Sequence, residues 1–232
     1  MKIIVGCPVS NRAWILERYR EHVVKALAGQ DFSFLFVVGE KDKETRALLS
    51  NWDNTVLIIS DEPERSDVRD WNRTRYEEMS VLRNTLLKAV REIHPDLFLS
   101  LDSDILLHED AFKSALGIML EYEVDAVGMK VYLMPSGRDV PNYGMWTQRF
   151  RREGYIRPDK QTISRADILM AAKLMNPKAY NVNYKSHVYG EDLGWSSNAN
   201  DAGVGMMWDG TVANKHVMRP DLLDAVDSRI GW

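Results

Sequence analysis

The chain has 232 residues, 45% of them hydrophobic and 28% charged, which is enough for one generous core, or a core plus a small annex, and excludes a disordered protein. A net charge of −4 and a pI of about 5.8 argue against a broad cationic surface for duplex DNA or anionic lipid. One cysteine, Cys7, excludes an internal disulfide and multi-thiolate zinc; with no signal-peptide pattern and no run near the roughly 20 apolar residues of a membrane span, the expectation is a soluble, cytoplasmic protein.

In chain order, KIIVGCPV is a short apolar run closed by Pro8 and Ser10 and predicts a first strand. WILERYREHVVKAL follows with helical spacing, Ile15, Tyr19, Val23 and Leu27 on one face, and Gly29 at its end. FSFLFVVGE predicts the second strand, KDKETRALLSNW a short helix or turn, and TVLIIS the third strand. This alternation is the rhythm of a largely parallel sheet with helices on its faces.

DEPERSDVRDWNRTRY is polar and rich in turn residues and predicts a surface loop. YEEMSVLRNTLLKAVREI predicts a helix whose buried stripe is Met79, Leu82, Leu86, Val90 and Ile93, ended by Pro95, which delivers the chain into a strand at LFLSLDSD. HEDAFKSALGIMLEYE predicts a helix and DAVGMKVYLM a strand. From Pro135 to Asp159 the periodicity dissolves into Gly, Pro, Arg and aromatics, as in a functional loop or an irregular half of the domain. DILMAAKLMNPKAY is mixed and apolar; HVYGEDLGWSSNANDAGVGMMWDG is Gly-rich before VANKHVM; no internal repeat is visible.

Three features carry chemistry. Asp102 and Asp104 emerge directly after an apolar strand, at the edge where open α/β sheets bind ligands. They can meet a hard divalent cation, directly or through water, or they can be Asp residues of an ordinary surface turn. In GEDLGW, Glu191 and Asp192 can start a helix or present a general base. His216 follows a predicted strand and can complete a metal shell. His22, His94 and His108 sit where structural or solvated roles are expected, while His187 is a ligand or a rim residue.

These features occur in a meaningful order. With CPVSNR at the end of the first strand, Arg83 and Asn84 in the helix before LSLDSDI, VYGEDLGWSSNANDAG, and a late histidine in NKHVM, most of the chain resembles the nucleotide-sugar glycosyltransferases of the GT-A fold, especially the broad family 2-like group. The resemblance implies a single GT-A, Rossmann-like α/β domain over 1–232, with a central, mostly parallel mixed sheet flanked by helices. Residues 1–110 would be its nucleotide-binding half and 111–232 its acceptor-binding half.

It also implies roles. Asp104 would bind the metal, Mn2+ or Mg2+; Asp102 would contact the nucleotide ribose, or the metal through water; His216 would be the late metal ligand. The donor would be a nucleoside-diphosphate sugar and the acceptor a small molecule or glycan. Asp192 would be the general base of an inverting transfer, with Glu191 orienting substrate. Pro8, Ser10 and Asn11 would hold the nucleotide, and Arg83 would reach the diphosphate or brace the Asp102 loop, against the structural alternative of a helix-face pair with Glu77. Glu40, Asp42, Asp61 and Glu62 compete as the base-recognising acid, with Asp61 placed directly after TVLIIS. Trp195, three residues beyond Asp192, is the candidate for the sugar pocket, ahead of Trp208. Tyr143, Trp146, Phe150 and Tyr155, among Arg138, Arg149, Arg151 and Arg152, either meet an anionic acceptor or pack as a small satellite core.

Two other classes stay in view. A metal-dependent nucleotidyltransferase would use the same carboxylates, although no GxxxxGK loop follows the first strand. A non-catalytic nucleotide- or sugar-binding protein could share the scaffold. The acidic balance makes a nucleic acid acceptor a minority expectation, kept alive only by the loop arginines.

Overall fold

The computed structural model of the chain describes residues 1–61, 73–133, 138–139, 143–144 and 163–223. The elements run β1 (Lys2–Val9), α1 (Ala13–Ala26), β2 (Asp31–Gly39), α2 (Lys43–Ser50), β3 (Thr55–Ser60), α3 (Arg73–Ile93), β4 (Leu97–Ser100), β5 (Ile105–Leu106), α4 (Ala111–Glu121) and β6 (Ala126–Leu133). They continue with β7 (Arg138–Asp139), β8 (Tyr143–Gly144), β9 (Ile163–Arg165), β10 (Ile168–Leu169), β11 (Lys173–Met175), α5 (Pro177–Tyr180), α6 (Glu191–Asp201) and β12 (Met206–His216).

Ten strands form one sheet along the path β3-β2-β1-β4-β11-β6-β12-β5, with β7 on β6 and β9 on β12; β8 and β10 pair separately. β1, β2, β3 and β4 are parallel, and β11 lies antiparallel between β4 and β6. Two reversals restore direction, so β6 and its parallel neighbour β12 point the same way as β4. The long strands therefore deliver their C-terminal ends to one edge. This is the mostly parallel, mixed, helix-flanked α/β architecture of a GT-A, Rossmann-like domain.

The physical reasons are local. Strand residues alternate between two faces, so Ile3, Val5 and Cys7 of β1 enter the core beneath α1 while Ile4 enters the one beneath α3. Ile15, Tyr19, Val23 and Leu27 form the buried face of α1 as their spacing predicts. On α3, Met79, Leu82, Leu86 and Val90 are buried against the other face of the sheet. Pro8 is tolerated in a central strand because the β4 ladder on β1 ends at Gly6 opposite Ser100, so no partner there needs its missing N–H.

Several boundaries differ from the sequence reading. The strand before the two aspartates is only Leu97–Ser100, and Asp102 and Asp104 lie in a tight turn that Ile105 N–H closes on the Asp102 carbonyl at 3.0 Å. The mixed, apolar stretch DILMAAKLMNPKAY resolves into β10, β11 and α5. The Gly-rich stretch after His187, for which a helix start at Glu191 was one reading, contains α6 and the first half of β12. The helix carries glycine where it packs too closely for a side chain. A Cβ at Gly194 would run into the Lys185 carbonyl oxygen, and Gly190, the residue before the helix, has φ of 121°, open only to glycine.

Candidate active site

Arg83 is the hub at the C-terminal edge of the sheet. It projects from the buried face of α3, is 3% exposed, and donates from Nη2 to Asp102 Oδ1 at 2.9 Å and from Nε to Glu191 Oε1 at 3.0 Å. Burial works against its charge, but Asp102, Asp192, Tyr184 and Glu191 outweigh it and hold the guanidinium firmly protonated. The alternative pairing with Glu77 does not occur, since Glu77 binds Arg73 at 3.0 Å. Asn84, the next residue, clamps the chain leading to α6: its Nδ2 donates to the Tyr184 carbonyl at 2.9 Å, and its Oδ1 accepts from Tyr184 N–H at 2.8 Å.

Asp192 pairs with Lys173, a residue on which sequence reasoning placed no role. Lys173 comes from the antiparallel strand β11, has no exposed surface, and donates from Nζ to Asp192 Oδ1 at 2.6 Å and to the Met170 carbonyl at 3.1 Å. Its ammonium lies 5.0 Å from the Trp195 ring and 5.3 Å from the Tyr184 ring. The available signal was a lone lysine in the apolar run ILMAAKLM, which a buried strand tolerates only if the charge is paired.

The neighbouring carboxylates are pushed apart. Burial opposes the charge on Asp192, yet the Lys173 and Arg83 cations hold it below the usual carboxylate range. Glu191 is pushed up, by burial and then by the Asp192 charge, against the pull of Arg83. Two adjacent carboxyl groups therefore differ in proton affinity, with Asp192 securely ionised and Glu191 the easier to protonate.

Asp104 faces the other way. Its Oδ1 lies 3.1 Å from His216 Nε2 and its Oδ2 accepts from Arg12 Nη2 at 3.3 Å. Pairing of β5 with β12, His216 opposite Ile105, sets the imidazole there, and Val217 N–H on the Asp104 carbonyl at 2.8 Å locks the turn. A carboxylate and an imidazole thus share one point, a donor set that fits two positions of a Mn2+ or Mg2+ shell. Among the described residues no three His, Cys, Asp or Glu side chains gather as a metal cluster, so the protein's share of such a shell is partial. Asp102 is directed to Arg83 rather than to the Asp104–His216 point.

The remaining candidates are spread along the same edge. Pro8 and Ser10 end β1, half-buried, and Asn11 is exposed with φ of 52°. Asn11 N–H donates to Asp42 Oδ2 at 2.7 Å, while Asp42 Oδ1 accepts from Thr45 N–H at 3.2 Å and caps α2. Both Asp42 oxygens are thereby used in structure. Asp61 follows the outer strand β3 and is exposed. Trp195 is fully buried against Tyr184, with ring centroids 6.1 Å apart, so its ring supports the Lys173 ammonium from below and presents no face to solvent. Trp208 is equally enclosed, on β12. Glu62, Trp146, Phe150, Tyr155, Arg149, Arg151 and Arg152 lie outside the described residues, as do the side chains of Arg138 and Tyr143.

No family model matches the sequence, and no curated protein matches it. Solved structures do share its fold. Residues 1–349 of S. aureus TarS in complex with UDP-GlcNAc superpose with a TM-score of 0.61 at 16% identity, over 94% of this chain and 59% of that one. A second structure of S. aureus TarS 1–349 gives 0.60 at 16% identity, over 94% and 60%. This chain therefore spans about three fifths of the structures it matches, and at this identity the likeness is one of fold.

Proposed function

We propose that the chain is a glycosyltransferase that moves a sugar from a nucleoside-diphosphate sugar to a hydroxyl group of a small-molecule or glycan acceptor. The observation that carries this reading is the network in which one buried arginine ties Asp102 to Glu191, beside the Lys173–Asp192 pair, at the ligand-binding edge of the sheet. The fold shared with a structure that holds UDP-GlcNAc supports it.

In this reading residues 1–110 bind the nucleotide, through Pro8, Ser10, Asn11 and Asp61 around the base and Asp102 at the ribose, and residues 111–232 receive the acceptor. Asp104 and His216 would hold Mn2+ or Mg2+, with Asp102 reaching it through water; the ion, when bound, neutralises the diphosphate and stabilises the departing nucleoside diphosphate. Arg83 sets the Asp102 turn and Glu191 with one rigid side chain.

Asp192 acts as the general base of an inverting displacement. It takes the acceptor hydroxyl proton as that oxygen bonds to the anomeric carbon and the carbon–diphosphate bond breaks. Lys173 occupies Oδ1 and leaves Oδ2 for the hydroxyl. A carboxylate held below its usual range is a weak base, so the proton moves late, once bond formation has made the hydroxyl acidic.

Calorimetry with a panel of nucleoside diphosphates and their sugars, with and without manganese, tests the reading on wild type and Asp104→Ala. Manganese-dependent binding of one nucleotide that the variant loses is the expected result. Absence of binding under every metal condition overturns it.

A further inference from the structure

The described residues bury three lysines, Lys130, Lys173 and Lys215. Lys173 has Asp192, and Lys215 has a partner of its own. Lys130 is 5% exposed, and the contact its ammonium makes is with the face of Tyr132, 4.8 Å from Nζ to the ring centroid. No carboxylate and no hydrogen-bond acceptor meets it among the described residues; its carbonyl, by contrast, accepts from Asn214 Nδ2 at 2.9 Å. A ring face returns only part of the hydration that a largely buried lysine gives up, and such a lysine is normally met by an anion.

Its position says which anion is missing. Along β6, Val127, Met129 and Val131 enter the core beneath α1 and α4, so Gly128, Lys130 and Tyr132 face the opposite side. A Cβ at Gly128 would indeed touch Leu169 and Trp208 of the second core. Gly128 is the register partner of Lys173. Lys130 therefore stands on the face of Lys173 and Asp192, one pleat repeat of roughly 7 Å further toward the C-terminal edge. β6 is separated from β1 and β4 by β11, on the side away from the strands assigned to the nucleotide.

We propose that Lys130, with the Tyr132 ring beside it, is the binding site for an anionic group, a phosphate or a carboxylate, carried by the acceptor. The assignment to the acceptor rests on the glycosyltransferase reading; the anion site itself rests on Lys130 alone. The enzyme would then select acceptors by charge, holding the anion while a neighbouring hydroxyl faces Asp192.

The test uses the full chain labelled with 13C at lysine Cε, titrated with glycerol 3-phosphate and with glucuronate at constant ionic strength, against Lys130→Met and Lys130→Arg. The two probes separate phosphate from carboxylate. One of them should shift the Lys130 signal in wild type, bind at least ~10-fold more weakly to Lys130→Met, and recover in part with Lys130→Arg. Uridine 5′-diphosphate binding with manganese, measured separately, should be the same in wild type and Lys130→Met. Equal anion binding by wild type and Lys130→Met overturns the proposal, as does an equal loss of uridine diphosphate affinity, which would give the lysine to the donor. Lys130-dependent anion binding without binding of any nucleotide supports the anion site and removes the glycosyltransferase reading.

Discussion

Between β1 and β4 the interior is a continuous apolar packing in which Tyr19, Phe34, Phe36 and Trp52 lie 5.2 to 6.4 Å apart, ring to ring. Between β6 and β12, with α6 beside them, the interior also holds Lys130, Lys173, Glu191, Asp209 and Lys215. The first region is stabilised by area removed from water; away from its edge, no buried charge among the described residues must find a particular partner there. In the second, Lys173 is held by Asp192 and Glu191 by Arg83, so these residues succeed or fail in pairs. Arg83 and Asp104, the charged residues buried in the first region, both belong to the edge where the two meet. The comparison teaches that the parallel half is an apolar platform and that buried charge is concentrated in the other half and at the edge where the two meet.

The largest effect that would sharpen this contrast is in the platform. Phe36→Ala removes a fully buried ring and should cost about 4 kcal/mol in urea denaturation, by an amount nearly independent of pH. Lys173→Met comes next. It leaves Asp192 buried without its cation and should cost about 3 kcal/mol, whereas Lys173→Met combined with Asp192→Asn should recover much of that loss. Additive losses in the double variant would break the idea that the second region is organised in pairs.

The smallest effects concern pH, and the two adjacent carboxyls have opposite signs. Asp192 has a lowered value in the folded state, so its contribution is present above the usual carboxylate range, about pH 4, and is lost as pH falls through the folded value. Lys173→Met should abolish that acid-side slope. Glu191 has a raised value, so the folded state favours its protonated form and stability declines as pH rises from about 4 through the folded value. Glu191→Gln should flatten this decline, keep an acceptor for Arg83 Nε, and change stability at neutral pH by less than about 1 kcal/mol. A pH profile of denaturation midpoints for the three proteins checks both signs; an unchanged acid limb in Lys173→Met would remove Lys173 as the group that keeps Asp192 ionised.

Much of the platform was written in local pattern. Period-two and period-3.6 spacing is set by backbone geometry within a few residues, so β1, β2, β3, α1 and the buried stripe of α3 could be read directly from apolar spacing. The pair Asp102 and Asp104, Glu191 and Asp192, and His216 were legible as candidates because each follows or opens an element whose end falls at a sheet edge. Their partners were legible only in part. Arg83 bracing the Asp102 loop was one of the roles the resemblance implied, and the two are in contact; its second partner, Glu191, depends on α3 and α6 lying on one face of the sheet, 108 positions apart in sequence.

The same limit applies to α6 and Trp195. The start of α6 at Glu191 was one of two readings of GEDLGW, but its length was not legible, because Gly190 and Gly194 answer to a positive φ and to a close backbone approach at Lys185 that only the docked helix makes. Trp195 looked like a sugar platform by its nearness to Asp192, yet its place on α6 turns it beneath Lys173. The sequence by itself determined the alternation of strands and helices, the apolar faces and the chain positions of the acidic residues, since these follow from neighbours along the backbone. Only the tertiary structure decided that β11 runs backward between β4 and β6, that Lys173 meets Asp192 and that Lys130 lies against the Tyr132 ring. Register between strands distant in sequence is chosen by the packing of both sheet faces together, and no local pattern encodes it.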